Sequence, residues 1–310
     1  MIFPSALRAV VVRRQPLTHV PSASGIEWVA DRWYVIGDDS PWLHVLDRRW
    51  QLLDRFLLFA PENAARVTPG VRISKSRKPD LEMLTVLRAP GEELLVAGSG
   101  SVSPQRDVAY LVRPDNPGMV TAHSLTPFYD QLRVRADVVG TGRLNLEGLA
   151  ANHESICFLQ RGNVTGNNAV ICFELNAFLA CLRHPTTPPP EPRVDQYALP
   201  TLGNLRAGFS GATFLPGTST LLFTASVEDT TDEINDGPAL GSLMGLLNVN
   251  DPGRAPCAFI EENGRPYAGK VESIAVAGDW DHSWLAVAVT DSDGGESEIL
   301  EIRITPEYGA

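Results

Sequence analysis

A chain of 310 residues, 44% of them hydrophobic, holds enough apolar material for a large core, and its length alone would admit two domains. A formal net charge of −11 argues against nucleic acid or an acidic membrane surface as partner, because both require a basic face. No run approaches the roughly 18 apolar residues of a membrane helix, and Met1 to Gln15 lacks the apolar core of a secretory leader, so the expectation is a cytoplasmic protein without membrane contact.

In chain order, Leu7 to Val12 is a short β-rich run with no partner of its own in the N-terminal segment. Four strands follow at Ile26–Ala30, Trp33–Gly37, Leu43–Asp47 and Leu52–Phe59, punctuated by turn residues such as Asp31-Arg32 and Asp38-Asp39-Ser40-Pro41. Pro61 to Pro79 is rich in Arg and Lys and reads as a long solvated loop, the alternative being that its positive charge faces an anionic substrate. A second set covers Met83–Leu87, Leu94–Gly98, Val108–Val112 and Val120–Leu125. The third has Leu149–Ala151, Ile156–Gln160 and Ala169–Leu175, then the proline-rich Pro185 to Pro192, which no central strand tolerates, then Val194–Leu199. The fourth has Ala212–Leu215, Leu221–Ala225, Leu243–Val249 and Ala258–Ile260, with an acidic insert at Glu228 to Gly237. The fifth has only three strands, Ile274–Ala277, Trp284–Val289 and Ile299–Ile304. Helical periodicity is almost absent, and Asn176–Leu182 is too short to decide.

Each set opens with a similar polar element ahead of its first strand. With Ser24, Glu82, Glu147, Ser210 and Glu272 as equivalent points, the steps are 82−24=58, 147−82=65, 210−147=63 and 272−210=62. A strand-rich repeat of that size, spread evenly from end to end, predicts an all-β, five-bladed β-propeller in one domain, residues 1–310. The N-terminal strand would complete the short fifth blade and so hide an open sheet edge.

The four cysteines form no CxxC or CxxH pair, which speaks against zinc, and Cys157 and Cys172 in apolar runs read as buried free thiols. In a propeller the first strands line the central channel, so the five equivalent points converge there although some sixty positions separate them. Three carboxylates brought together repel one another, and a hard cation with oxygen ligands, Ca²⁺, removes that conflict. The alternative is a ring of salt bridges from Lys78, Arg161 and Lys270, which lie close to these glutamates in sequence. A second ring sits at the ends of the second strands: Asp38-Asp39, Ser99 and Ser101, Gln160-Arg161, Glu228-Asp229, and Asp291 with Asp293. Such a mouth could hold a phosphate through a second cation, or be an ordinary polar rim. Asp291 to Gly294 and Asp232 to Gly237 are loose likenesses of calcium loops without full EF-hand spacing.

These pieces resemble the five-bladed calcium-dependent apyrases, which are soluble nucleotidases. The likeness is carried by Ser24-Gly25 before Tyr34 to Asp39, Lys78 with Glu82, Glu147 before Phe158-Leu159-Gln160-Arg161, Gly208-Phe209-Ser210 before Phe214-Leu215-Pro216 and Glu228-Asp229, and Lys270-Val271-Glu272. The resemblance implies one axial calcium held by Ser24, Glu82, Glu147, Ser210 and Glu272. The chain departs from the family at Gly162, where a second arginine is expected, and at Val227, where a lysine is expected. A looser likeness to phytase-like and lactonase-type propellers rests on acidic channel residues alone.

Two functions follow as expectations. One is a calcium-dependent hydrolase of phosphate anhydrides or esters, with Asp38, Asp39 and Glu228 as candidate bases, Arg161 meeting developing negative charge, and a phosphorylated small molecule as ligand. The other is a non-catalytic propeller whose calcium is structural and whose mouth binds a small ligand or a protein whose identity the residues do not give.

Overall fold

The computed structural model describes residues 3–61, 68, 70, 72–88, 91–162, 164, 166–230, 237–277, 283–292 and 296–308. Among these the chain is nearly all β and is of the β-propeller type. Three antiparallel four-stranded sheets follow in sequence order. The first is β2 (Ala23–Val29), β3 (Arg32–Gly37), β4 (Trp42–Leu46) and β5 (Leu52–Leu57). The second is β6 (Leu81–Leu87), β7 (Glu93–Gly98), β8 (Val108–Arg113) and β9 (Asn116–Ser124). The third is β10 (Leu146–Ala151), β11 (Ser155–Gln160), β12 (Ala169–Glu174) and β13 (Arg193–Gln196).

The remaining strands share one ten-stranded sheet. It contains β1 (Ala6–Pro16), β14 (Thr201–Leu202), β15 (Leu205–Phe214), β16 (Thr220–Glu228), β17 (Ala239–Asn248), β18 (Cys257–Glu262), β19 (Arg265–Pro266), β20 (Lys270–Val276), β21 (Trp284–Asp291) and β22 (Ser297–Glu307). Its order is β14-β15-β16-β17-β18-β1-β22-β21-β20, with β19 paired to β18. The N-terminal strand β1 runs antiparallel to β22 from Ala6↔Glu307 to Pro16↔Glu298. It also touches β18 in parallel through Ala9↔Ile260 and Val10↔Glu261.

Burial explains why the second strands are the most apolar runs in the chain. In β3, β7 and β11 every residue after the first is buried, whereas the fourth strands β5 and β9 are largely exposed. A strand covered on both faces needs continuous apolar side chains, and an outer one does not. The core is split into five clusters, each between successive groups of strands. Leu43 and Ile36 meet Leu84 and Val96; Met83 and Leu95 meet Phe158; Cys157 and Leu159 meet Phe223. Leu222 and Met244 meet Ile274 and Ile302, and Ala275 and Val289 return to Ile26 and Val35. The inner strands follow the same order, β2 packing on β6, β6 on β10, β10 on β15, β15 on β20, and β20 on β2.

Three helices interrupt the β pattern. Helix α1 (Thr126–Arg133) and α2 (Ala136–Val139) fill the β9–β10 connection and bury Phe128, Tyr129, Leu132 and Val138, an element the periodicity does not predict. Helix α3 (Leu175–Arg183) spans the undecided Asn176–Leu182 segment. Its N-cap Glu174 accepts from the Asn176 and Ala177 amides at 3.0 and 2.6 Å. The free-thiol reading of Cys157 and Cys172 is corrected. The β11–β12 register sets them directly opposite, with Cα atoms 4.1 Å apart, and they form a disulfide. Cys181 and Cys257 are free.

Candidate functional site

Each inner strand carries a β-bulge at the position the repeat singles out. Pairing jumps from Ala23↔Gly37 to Gly25↔Ile36, from Leu81↔Gly98 to Met83↔Ala97, and from Leu146↔Gln160 to Gly148↔Leu159. It does so again between Phe209↔Ala225 and Ala212↔Phe223, and between Val271↔Thr290 and Ser273↔Val289. The extra residues are therefore Ser24, Glu82, Glu147, Ser210 with Gly211, and Glu272. A bulge releases its residue from the ladder and re-aims the side chain. The close approach also has a sequence cause, since a Cβ on Gly211 would lie 2.6 Å from Ser273 Cα and 2.7 Å from the Glu272 carbonyl oxygen.

The two serines act between neighbouring strands. Ser24 Oγ donates to the Leu81 carbonyl at 2.5 Å, and Ser210 Oγ donates to the Val271 carbonyl at 2.7 Å. In both cases the acceptor is the residue just before the next glutamate. Each serine thus fixes the backbone that presents Glu82 or Glu272. The three glutamates do not collapse onto one point. Glu147 takes the Asn145 amide at 2.7 Å and lies 3.4 Å from Arg161, while Glu272 is paired with Lys270 at 2.7 Å.

Among the described residues, one group of carboxylates is compact enough to hold a metal ion: ligand oxygens of Asp38, Asp80 and Glu82 lie within 4.8 Å of one another. Lys78 sits among them, in ion-pair contact with Asp38 and 2.8 Å from Asp80. Asp80 is further held by Arg106 at 2.5 Å and Ser99 at 2.6 Å. Asp39 accepts from Arg72 Nε at 2.5 Å. On the far side of the mouth, Glu228 is fully buried against Arg161 and lies 3.5 Å from Lys270. Asp38, Asp39, Arg161 and Glu228 thus stand in the same ionic network as the bulge glutamates. Asp293 and the segment 232–236 lie outside the described residues.

Among the described residues, Asp38, Asp39, Asp80, Glu82, Glu147, Glu228 and Glu272 face Arg72, Lys78, Arg106, Arg161 and Lys270. Carboxylates are in excess, and four of their oxygens are buried without a hydrogen-bond partner: Asp38 Oδ1, Asp39 Oδ1, Glu228 Oε2 and Glu272 Oε2. The titration behaviour follows. Burial raises Glu82 well above the usual carboxylate range, and the charges of Glu147, Asp80 and Asp38 add to it against Lys78. Burial likewise pushes Glu272 up to about 8, with Lys270 opposing and Glu147 contributing. Asp38 rises to about 6 through burial, with Lys78 opposing and Asp39 adding. Burial works against the Lys78 ammonium, but Asp38, Asp80 and Glu82 hold it charged beyond the usual lysine range.

A family model described as "Family of unknown function (DUF6929)" matches residues 19–304. The chain belongs to that family. No curated protein matches it. The glutaminyl cyclase of Myxococcus xanthus is similar in structure, with a TM-score of 0.51 and 10% identity over 97% of this chain and 99% of that one. Regucalcin from Agrobacterium tumefaciens, a calcium-binding protein, gives 0.44 and 11% over 97% and 98%. Virginiamycin B lyase from Staphylococcus aureus gives 0.38 and 11% over 96% and 99%. At such identities the likeness is one of β-propeller fold.

Two parts of this family member's site escape sequence reasoning. Lys78, a salt-bridge candidate in the sequence, is buried among the acids, whereas the solvated reading of the loop from Pro61 to Pro79 does not give the contact of Arg72 with Asp39; residues 62–67, 69 and 71 lie outside the described set. Asp80 was hidden because it lies two residues before the bulge, at a φ of +56°. A sequence signal exists: Ser22, Asp80 and Asn145 are polar residues two positions before Ser24, Glu82 and Glu147, and in the structure Ser22 shares the positive φ of Asp80.

Proposed function

We propose that the chain forms one domain, a five-bladed propeller with β1 as its clasp, that holds a divalent cation, Ca²⁺, at the channel mouth. The observation that carries this reading is the surplus of buried carboxylate, with unpartnered oxygens on Asp38, Asp39, Glu228 and Glu272. A hard cation would satisfy the Glu272 oxygen directly, offset the charge of the surrounding acids and stabilise the ionised forms of Glu82 and Glu272, which the protein alone disfavours. Glu82, Glu147 and Glu272 are the ligands of first choice, with the hydroxyls of Ser24 and Ser210 as further oxygens. Asp80 belongs to the same acidic group.

The mouth then suits a phosphorylated small molecule, as the apyrase resemblance implies. Bound calcium would clamp phosphate oxygens and make a coordinated water more acidic. Asp38, whose carboxyl is raised to about 6, is poised to take a proton near neutral pH. Asp39 holds Arg72 at the rim. Arg161, fixed between Glu147 and Glu228, keeps a positive charge at the mouth. The test is phosphate release from a panel of nucleoside diphosphates and phosphomonoesters, with Ca²⁺ and with chelator. Calcium-dependent release that Asp38→Asn abolishes supports the hydrolase; no release from any substrate refutes it.

A second reading is favoured by Lys78, whose ammonium already sits in the acidic cluster. There the ion pairs serve as a structural ring and the mouth does no chemistry. If a chelator and added Ca²⁺ both leave the melting temperature unchanged, this second reading holds.

A further inference from the structure

The opposite end of the channel carries a second, differently built cavity. Its volume is about 530 Å³, and it is bounded by Trp28, by Asn152 and His153 in the β10–β11 turn, by the β15–β16 turn at Phe214–Ser219, and by Val276. At its inner wall lies Glu27, three residues beyond the Ser24 bulge. The equivalent residues in the other inner strands are Thr85, Ala150, Thr213 and Ala275, so Glu27 is the one acid in a ring of uncharged side chains. It is only 5% exposed.

Glu27 is held in place by neutral donors. The Trp28 amide donates to one oxygen at 3.1 Å, and Thr85 Oγ1 donates to the other at 3.4 Å. Among the described residues no cationic side chain is in ion-pair contact with it. The nearest positive charge in the wall, Arg88, is directed to Glu92 at 3.2 Å. A buried carboxylate without a cation is expensive unless a ligand supplies one. The other walls, Trp28, Phe214, Leu215 and Val276, offer apolar surface for the body of such a ligand.

We infer that this cavity is a binding site for a small primary amine with an apolar body, its ammonium paired with Glu27 and its body against Trp28 and Phe214. Burial also raises the Glu27 carboxyl to about 7, with Arg88 opposing, so below that pH the empty site holds a proton that must leave when the ammonium binds. The other titratable groups facing the cavity are Arg88, His153 and Glu154, with Glu92 behind Arg88.

The test is calorimetric titration of the full chain with 2-phenylethylamine and with 3-phenylpropanoate, at pH 6 and pH 8. The amine binds and the acid does not. For a carboxyl titrating near 7, the ionised fraction rises about tenfold between those pH values, and the amine's affinity should rise by about as much. Glu27→Gln loses at least about tenfold in affinity at pH 8 and shows no such rise. His153→Asn keeps the rise, which separates Glu27 from the histidine even if the Glu27 variant fails to fold. Equal binding of amine and acid, unchanged amine affinity in Glu27→Gln, a pH response lost in His153→Asn, or no heat with the amine at about 10 mM would each overturn the proposal.

Discussion

Replacing Glu272 by glutamine should stabilise the metal-free protein at alkaline pH and remove its response to calcium. Glu272 is 5% exposed; Lys270 satisfies one oxygen, and the other is unpartnered. Its folded-state carboxyl is raised to about 8 from an ordinary 4.5, chiefly by burial. Between those values the native state keeps a proton that the unfolded state has released. Stability therefore falls as pH rises, and the full cost is present above pH 8. At about 1.36 kcal/mol per pH unit, the shift corresponds to at most about 5 kcal/mol. Because Lys270 and Arg161 oppose it and Lys270 must re-pair with Glu228, a net gain of about 1–3 kcal/mol at pH 9 is the expectation. That is roughly 2–6 °C in melting temperature for a chain of this size. The assay is thermal unfolding from pH 5 to 9 in chelator, repeated with millimolar CaCl₂. In chelator, the variant-minus-wild-type difference should grow from pH 5 to pH 9. In calcium the order should reverse, because only the wild type gains a ligand. A difference that is flat across pH, or a variant that responds to calcium as the wild type does, would show that Glu272 neither titrates nor binds the ion as described.

Gly211→Ala should destabilise the protein by about 1–3 kcal/mol, since its Cβ meets the backbone of Ser273 and Glu272 and must push β15 from β20; denaturant unfolding measures it, and a loss below about 0.5 kcal/mol would contradict the close approach. Arg161→Met leaves Glu147 and Glu228 facing each other without their shared cation, for a cost of about 3–5 kcal/mol. In the same denaturant assay Arg161→Lys should recover part of that loss. The Cys157–Cys172 bridge closes a separation of 15 residues, so reduction should cost about 3 kcal/mol; thiol titration of the denatured, unreduced chain should find two thiols, and four would contradict the bridge.

Much of the fold was legible because short apolar runs bounded by turn residues recur in sets every sixty or so positions. The five inner strands were found through that repeat, including the residues that prove to be bulges. Their bulged state was not legible, since a bulge is a property of two strands and the sequence shows one at a time. Helix α1 was invisible for a related reason: its eight residues bury Phe128, Tyr129 and Leu132 against the third sheet, and that contact replaces a long periodic signal. The Cys157–Cys172 pair could have been read from the hairpin, because Ile156–Gln160 and Ala169–Leu175 fold back about a centre that sets the two cysteines opposite. At the site, the glutamates and the mouth acids were legible as types. Lys78, Arg161 and Lys270 were legible as partners too; Arg72 and Arg106 were not, because the acids they reach, Asp39 and Asp80, lie 33 and 26 residues away in sequence.

If the buried acid surplus at the channel mouth exists to hold a cation, Ca²⁺ titrated calorimetrically into chelator-treated protein, in two buffers of different ionisation enthalpy near pH 7.5, should bind one ion per chain with proton release, because Glu82 and Glu272 must ionise when the ion binds. Absence of binding heat, or binding without proton release that persists in Glu147→Gln, would show that the surplus serves no cation.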